Sequence, residues 1–367
     1  MTYQFHWAPT PPVETGAEKR RVAIFALGVG AVFVGSVLAQ VVLSLIGSIL
    51  FPGLLGKAWF QLLASTACLY ACGMIPAWLI LRRIAPEPID NRRMRGLSLA
   101  AVVSVAVTFL MIGSYAGNLV NVIISAITGK PVENPVQTLA DSVPLGVMAL
   151  CTVLLAPIAE ELFFRKVLID RLRKYGDMPA ILVSAAIFGL SHGNFSQFFY
   201  AFLLGLVFGA VYCSTGRLRY GIGLHMGINF FGSVYSTLLM RRVGDAELTP
   251  SVLLSDPVAG LMYLGDLAVY GLAILAFIPS LIYLLSRFHP RRRSPHLRRG
   301  RKRTLPADFL CGNGLCEDHQ RSRPRGLPGG HAVPQGALRV KNPPLPFGNG
   351  ETLTCGRPAA CWIRNSE

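Results

Sequence analysis

Charge is scarce in this sequence. Only 15% of its 367 residues are charged, and 19 are acidic, against about 25% charged in ordinary soluble domains. A soluble globular enzyme needs polar surface to cover its core, so the shortage argues against one. Low hydrophobicity is missing too: 52% of the residues are hydrophobic, which excludes a disordered chain. The long apolar runs lack alternation of period two and far exceed a strand of about ten residues, which argues against a membrane β-barrel. The tight cysteine pairs of zinc ribbons are absent, and so is the His-Glu-x-x-His pattern of zincins. What remains is an all-α, polytopic transmembrane helix bundle.

Eight apolar runs are present, near 22–51, 58–81, 97–127, 144–164, 179–191, 195–213, 220–240 and 260–286. A spanning helix needs about 20 apolar residues. The fifth run falls short, and Ser191-His192-Gly193-Asn194 follows it at once. It is therefore expected to end inside the protein or in a polar cavity, where polar backbone is tolerated at membrane depth. Alternate connections and the two tails hold 31 Lys and Arg, against four in the remaining loops: Lys57, Lys130, Arg241 and Arg242. By the positive-inside rule this predicts eight spans with both termini cytoplasmic. The first run is about 30 residues long and reads as a signal anchor, since the apolar region of a cleaved signal peptide is shorter.

The organisation expected is a cytoplasmic tail at 1–21, a membrane bundle at 22–286 and a basic C-terminal tail at 287–367. The formal net charge of +16 is concentrated in that last segment, which has 16 Lys and Arg against five acids. Its Arg, Pro and Gly mixture without periodicity reads as disordered. Its Arg291–Arg303 stretch could lie on anionic headgroups, although a topology anchor explains it as well. The partners expected are a lipid bilayer and a membrane-associated peptide or protein, with no nucleic acid.

Ionisable residues inside membrane spans are costly and point to function. The apolar body holds two of the seven histidines, His192 and His225, and three carboxylates, Glu160, Glu161 and Asp266. Glu160 and Glu161 point about 100° apart on a helix, so they cannot face one cavity equally. Glu161 and Arg165 stand at i and i+4 in the favourable acid-first order and can pair. Glu160 is then free to do chemistry. Taken alone, the cluster could be a solvated helix end, His192 could bond a loop carbonyl, and His225 with Asn229 at i+4 could be interhelical glue. Together they supply a carboxylate, two imidazoles and an amide, a set suited to activating water and stabilising an oxyanion. Asp266, Asn118 and Asn121 are expected to be structural.

Glu-Glu-x-x-x-Arg at 160–165, Phe-x-x-x-His at 188–192 and His-x-x-x-Asn at 225–229 resemble, in that order, the three motifs of the CPBP intramembrane proteases. That family includes the type II CAAX prenyl endopeptidases and the Abi bacteriocin-processing or immunity proteins. The resemblance covers about 144–235 and implies an intramembrane endopeptidase, a CAAX-type or leader-peptide hydrolase in a bacterial cell membrane. It implies that Glu160 and His192 activate water, that His225 and Asn229 hold the oxyanion, and that Glu161 with Arg165 is structural. The family is often described as metalloproteases. Glu160, His192 and His225 could hold a divalent metal such as zinc with one position open, and a metal-free mechanism needs the same residues.

Glu160 lies five residues before Arg165. That is about 7 Å on a helix and places cleavage near the cytoplasmic leaflet. Two other functions compete with proteolysis. One is a non-catalytic scaffold or self-immunity factor of the same fold. The other is a transporter with a proton relay, disfavoured by the absence of a visible repeat.

Overall fold

The computed structural model describes residues 3–6, 15–87, 89–132, 134, 141–243, 255–291, 351–355 and 361–365. All eight apolar runs are helical. They form α1 (Thr15–Leu50), α2 (Ala58–Leu81), α3 (Gly96–Thr128), α4 (Leu145–Tyr175), α5 (Asp177–Leu190) and α6 (Phe195–Thr215). The seventh, α7, begins as Leu218–Asn229 and continues through Phe230–Tyr235 and Ser236–Val243, and α8 spans Pro257–Arg287. Six of them (α1 to α4, α6 and α8) are long and apolar enough to cross a membrane. The 14 residues of α5 are too few, as expected of a segment ending at a polar turn. In α7 the polar residues His225 and Asn229, several glycines and the terminal arginines dilute an otherwise apolar run.

The bundle is a helical membrane fold. Its outer face carries large exposed apolar side chains, among them Ile49 on α1, Ile127 on α3 and Leu275 on α8. So much contiguous apolar surface is untenable in water and fits a bilayer. Inside, α2 packs on α1, α3 packs on α6 and α8, α5 on α6, and α7 on α4 and α6. Membrane helices gain little from apolar contact alone, so close approach over small residues does much of the packing. Gly113 on α3 shows this: a Cβ there would sit 2.3 Å from the Tyr200 Cα on α6. One core cluster joins Val32, Ala77 and Leu81 of α1 and α2 to Phe163, Phe164 and Leu168 of α4 and Phe188 of α5.

The charged residues after Glu161 depart from expectation. They were expected in a loop, yet α4 runs on to Tyr175. The reason is internal pairing. Lys166 pairs with Asp170 at 2.8 Å and Arg173 with Asp177 at 2.7 Å, both at i,i+4. Arg171 donates to the carbonyls of Leu81 at 2.7 Å and Val167 at 3.0 Å. With their charges met, these residues can stay helical. Likewise α1 starts at Thr15, earlier than the expected 22, and Glu18 on its first turns pairs with Lys174 and Tyr175.

The chain divides into two compact units, Met1–Arg292 and Arg293–Glu367. In the first, strands β1 (Tyr3–His6) and β2 (Phe288–Arg291) pair in parallel. In the second, β3 (Glu351–Cys355) and β4 (Cys361–Asn365) pair antiparallel, Cys355 opposite Cys361. This short pair lies within the tail expected at 287–367. The rest of the expected tail disorder, including Arg293–Arg303, falls outside the described residues.

Candidate active site

Glu160 and Glu161 end a regular helical stretch of α4, Ala156–Glu161, which follows a widened turn at Ala149–Leu155 and carries Pro157 in its first turn. The two carboxylates meet different partners. Glu161 is fully buried and receives a two-pronged bond from the fully buried Arg165, Nε to Oε2 and Nη2 to Oε1, each at 3.0 Å. Arg165 Nη1 also donates to Ser184 Oγ at 3.2 Å, and its guanidinium lies 5.1 Å over the Phe188 ring and 5.8 Å over that of Phe208. The forked guanidinium matches a carboxylate, so one bidentate pair satisfies both charges in a dry interior. The pairing read from the i,i+4 spacing is thus present. Because Arg165 is buried, it does not mark where α4 meets water, and the depth of about 7 Å inferred from it loses its footing.

Glu160 faces α2 and α7. Tyr70 on α2 donates its hydroxyl to Glu160 Oε1 at 3.1 Å, and Oε2 lies 3.8 Å from His225 Nε2 on α7. The opposite ring nitrogen of His225, Nδ1, lies 3.4 Å from Glu161 Oε1 in a poorly aligned contact that does not count as a hydrogen bond. One imidazole therefore stands between the two adjacent carboxylates. The Phe208 ring stacks on it at 5.2 Å and the edge of Phe188 closes another side at 5.8 Å. The approach of α7 depends on Gly221, where a Cβ would meet Glu161 Oε2 at 2.6 Å.

His192 is half-buried at the turn from α5 to α6. Gly193 reverses the chain there at φ +69°, and Asn194 caps α6 by accepting from the Gln197 N–H at 3.0 Å. His192 Nδ1 lies 3.0 Å from the Phe188 carbonyl. A carbonyl only accepts, so Nδ1 is the donor in this contact, and in the neutral ring Nε2 then keeps its lone pair. His192 meets the carboxylate cluster through the Phe188 ring, 5.2 Å away. Asn229 bonds across to α4, where its Nδ2 donates to the Thr152 carbonyl at 2.7 Å.

The structure thus brings Glu160, Glu161, Arg165 and His225 into one cluster, with His192 and Asn229 on its flanks. Among the described residues no group of three or more His, Cys, Asp or Glu side chains is placed to hold a metal ion. Glu160, His192 and His225 are not gathered into such a group. Tyr70 was missed from sequence. An aromatic residue in an apolar run 90 positions away carries no signal of its tertiary partner. Of the residues expected to be structural, Asn121 is buried and donates to Ser196 Oγ at 2.7 Å, whereas Asn118 is exposed and Asp266 half-buried.

Comparison with known proteins gives a match over the segment that carries most of these residues. Residues 142–231 match the family described as Type II CAAX prenyl endopeptidase Rce1-like. The "Putative membrane peptidase YdiL" of Bacillus subtilis (strain 168) is 29% identical over 195 residues, covering 52% of this chain and 78% of the relative. No solved structure matches the chain. The matched segment holds all three motifs and every residue of the cluster except Tyr70, and over these residues the chain is similar to that endopeptidase family.

Proposed function

We propose that this protein is an endopeptidase that cleaves a membrane-associated peptide, lipidated in the CAAX manner or carrying a leader, with Glu160 as general base. The observation that carries this reading is the division of labour between adjacent carboxylates. Glu161 is neutralised by Arg165, while Glu160 keeps one oxygen, Oε2, turned toward His225 and not bonded by Tyr70. Glu160 takes a proton from a water, which the Nε2 lone pair of His192 helps to orient. The hydroxide adds to the scissile carbonyl carbon. His225 Nε2 and Asn229 Nδ2 donate to the oxyanion that forms. Protonated Glu160 then returns its proton to the amide nitrogen, the C–N bond breaks, and a carboxylic acid and an amine leave, the acid then giving up its proton to water or to the amine. The protein is proposed to work in a bacterial cell membrane with both termini cytoplasmic.

The test is cleavage of prenylated CAAX peptides and of leader peptides by purified protein and by Glu160→Ala, with and without chelator. General bases contribute about 10²- to 10⁴-fold, so a loss of at least about a hundredfold in Glu160→Ala is expected. Equal cleavage by both proteins would remove Glu160 from the chemistry. Loss of activity with chelator would reinstate a metal. Failure of the wild type on every peptide would favour a scaffold or immunity role.

A further inference from the structure

In a regular α-helix each carbonyl is taken by the N–H four residues on. The widened turn of α4 uses a longer step, in which the Ala156 N–H bonds the Cys151 carbonyl, five residues back. The next bond in that register would run from residue 157 to the Thr152 carbonyl. Residue 157 is proline and has no N–H. The Thr152 carbonyl is therefore left without a helical donor at membrane depth, where no water replaces a missing backbone partner. Its partner comes from another helix, since Asn229 Nδ2 donates to it at 2.7 Å.

We infer that Pro157 is a positioning residue: it withholds a backbone N–H so that the Thr152 carbonyl anchors the side-chain amide of Asn229. The inference rests on the proposed reading in which Asn229 stabilises an oxyanion. An amide nitrogen carries two hydrogens. One held by the Thr152 carbonyl fixes the amide plane and leaves the second pointing in a set direction. Such prior orientation matters because an oxyanion donor is effective only if its geometry needs no change during reaction. Thr152 Oγ1 donates to the Met148 carbonyl at 2.8 Å and lies 3.0 Å from Ser233 Oγ, whose own hydroxyl donates to the Asn229 carbonyl. The backbone of Thr152 thus ties α7 to α4 at the level of Asn229.

Pro157→Ala restores the N–H at 157, which then competes with Asn229 for the Thr152 carbonyl. Steady-state cleavage is measured for wild type, Pro157→Ala, Asn229→Ala, the double variant, and Pro279→Ala as a control for losing a proline elsewhere, in α8. Loss of one oxyanion donor costs about 10²- to 10³-fold in kcat. Asn229→Ala is expected to show that loss. Misaiming the same donor should cost part of it, about tenfold in kcat with KM changed less than about twofold, and Pro279→Ala should match wild type. The decisive comparison is the double variant, expected to equal Asn229→Ala because Pro157 acts only through that amide. Independent, multiplying losses, or a Pro157→Ala protein as active as wild type, would overturn the inference. A second measurement needs no catalysis. With 15N-asparagine labelling, one of the two Asn229 amide protons should be protected from exchange in wild type and lose that protection in Pro157→Ala. Two equally unprotected protons in wild type would overturn the anchor even if Pro157→Ala fails to fold. If wild type cleaves nothing, the functional reading falls alone, and the amide protons still decide the anchor.

Discussion

Glu160 and Glu161 are one peptide bond apart and have opposite fates because a helix turns successive side chains about 100°. Glu161 sits beneath Arg165 with neither exposed. Removing one partner of such a buried pair leaves an unmet charge and costs about 3–5 kcal/mol. Arg165→Met is therefore expected to lower stability by that amount, read as a loss of folded protein in detergent on heating, with activity lost as a consequence. Tyr70→Phe should behave differently. It keeps the apolar ring and removes only the hydroxyl that donates to Glu160 Oε1. A hydrogen bond to a charged group contributes about 1.5–3 kcal/mol, and at 3.1 Å this one belongs at the weak end. We expect kcat to fall about tenfold with the melting temperature lowered by no more than about 5 °C, and equal kcat values would detach Tyr70 from the site. The sequence makes the Glu161–Arg165 pair legible because an i,i+4 rule covers it. The Tyr70 contact obeys no local rule and is visible only once α2 is folded against α4.

The helices themselves were largely readable, since each apolar run became one. Their ends were harder. A run of charged residues reads as a loop when its partners are unknown, yet Asp170, Asp177 and two backbone carbonyls absorb Lys166, Arg171 and Arg173, so α4 continues. The distance between helices was not readable either, because it is set by the smallest residue at the crossing. Gly221 decides how closely α7 approaches the carboxylates, and a methyl group there would lie 2.6 Å from Glu161 Oε2. That carboxylate is held by Arg165 and cannot swing aside cheaply. Overpacking of this kind costs about 1–3 kcal/mol. Gly221→Ala should therefore lower stability by a similar amount and, by moving His225, reduce kcat. Gly223→Ala on the same helix, where a Cβ meets nothing within 4 Å, should do neither. If the two variants behave alike in melting and cleavage assays, close approach at Gly221 is not what sets the site.

At the scale of the whole bundle, segments far apart in sequence gather at one end. Glu18 and Arg21 at the start of α1 reach Lys174, Tyr175 and the Arg171 carbonyl at the end of α4. The Glu87 N–H bonds the Asp170 carbonyl at 2.7 Å, and the Arg92 N–H bonds the Thr215 carbonyl at the end of α6 at 2.8 Å. These are the basic segments that the positive-inside rule assigns to one side. Their mutual bonding supports that assignment from geometry, independently of the charge count. It also constrains α5. At about 1.5 Å per residue its 14 residues reach about 21 Å, short of a hydrocarbon core of about 30 Å. Its start at Asp177 is fixed to that same end by Arg173, so His192 at its far end is expected to stay within the membrane, with the 21 residues of α6 that return to that end running tilted. This can be checked in a background with the eight native cysteines replaced. Single cysteines at Lys19 and Arg92 should react with an impermeant maleimide from the cytoplasmic side, and cysteines at Lys57 and Lys130 from the other. A cysteine at Gly193 should resist labelling from the far side or react slowly through a polar cavity. Fast labelling at Gly193 together with Lys130 would mean that α5 crosses after all, and would bring His192 to the opposite surface.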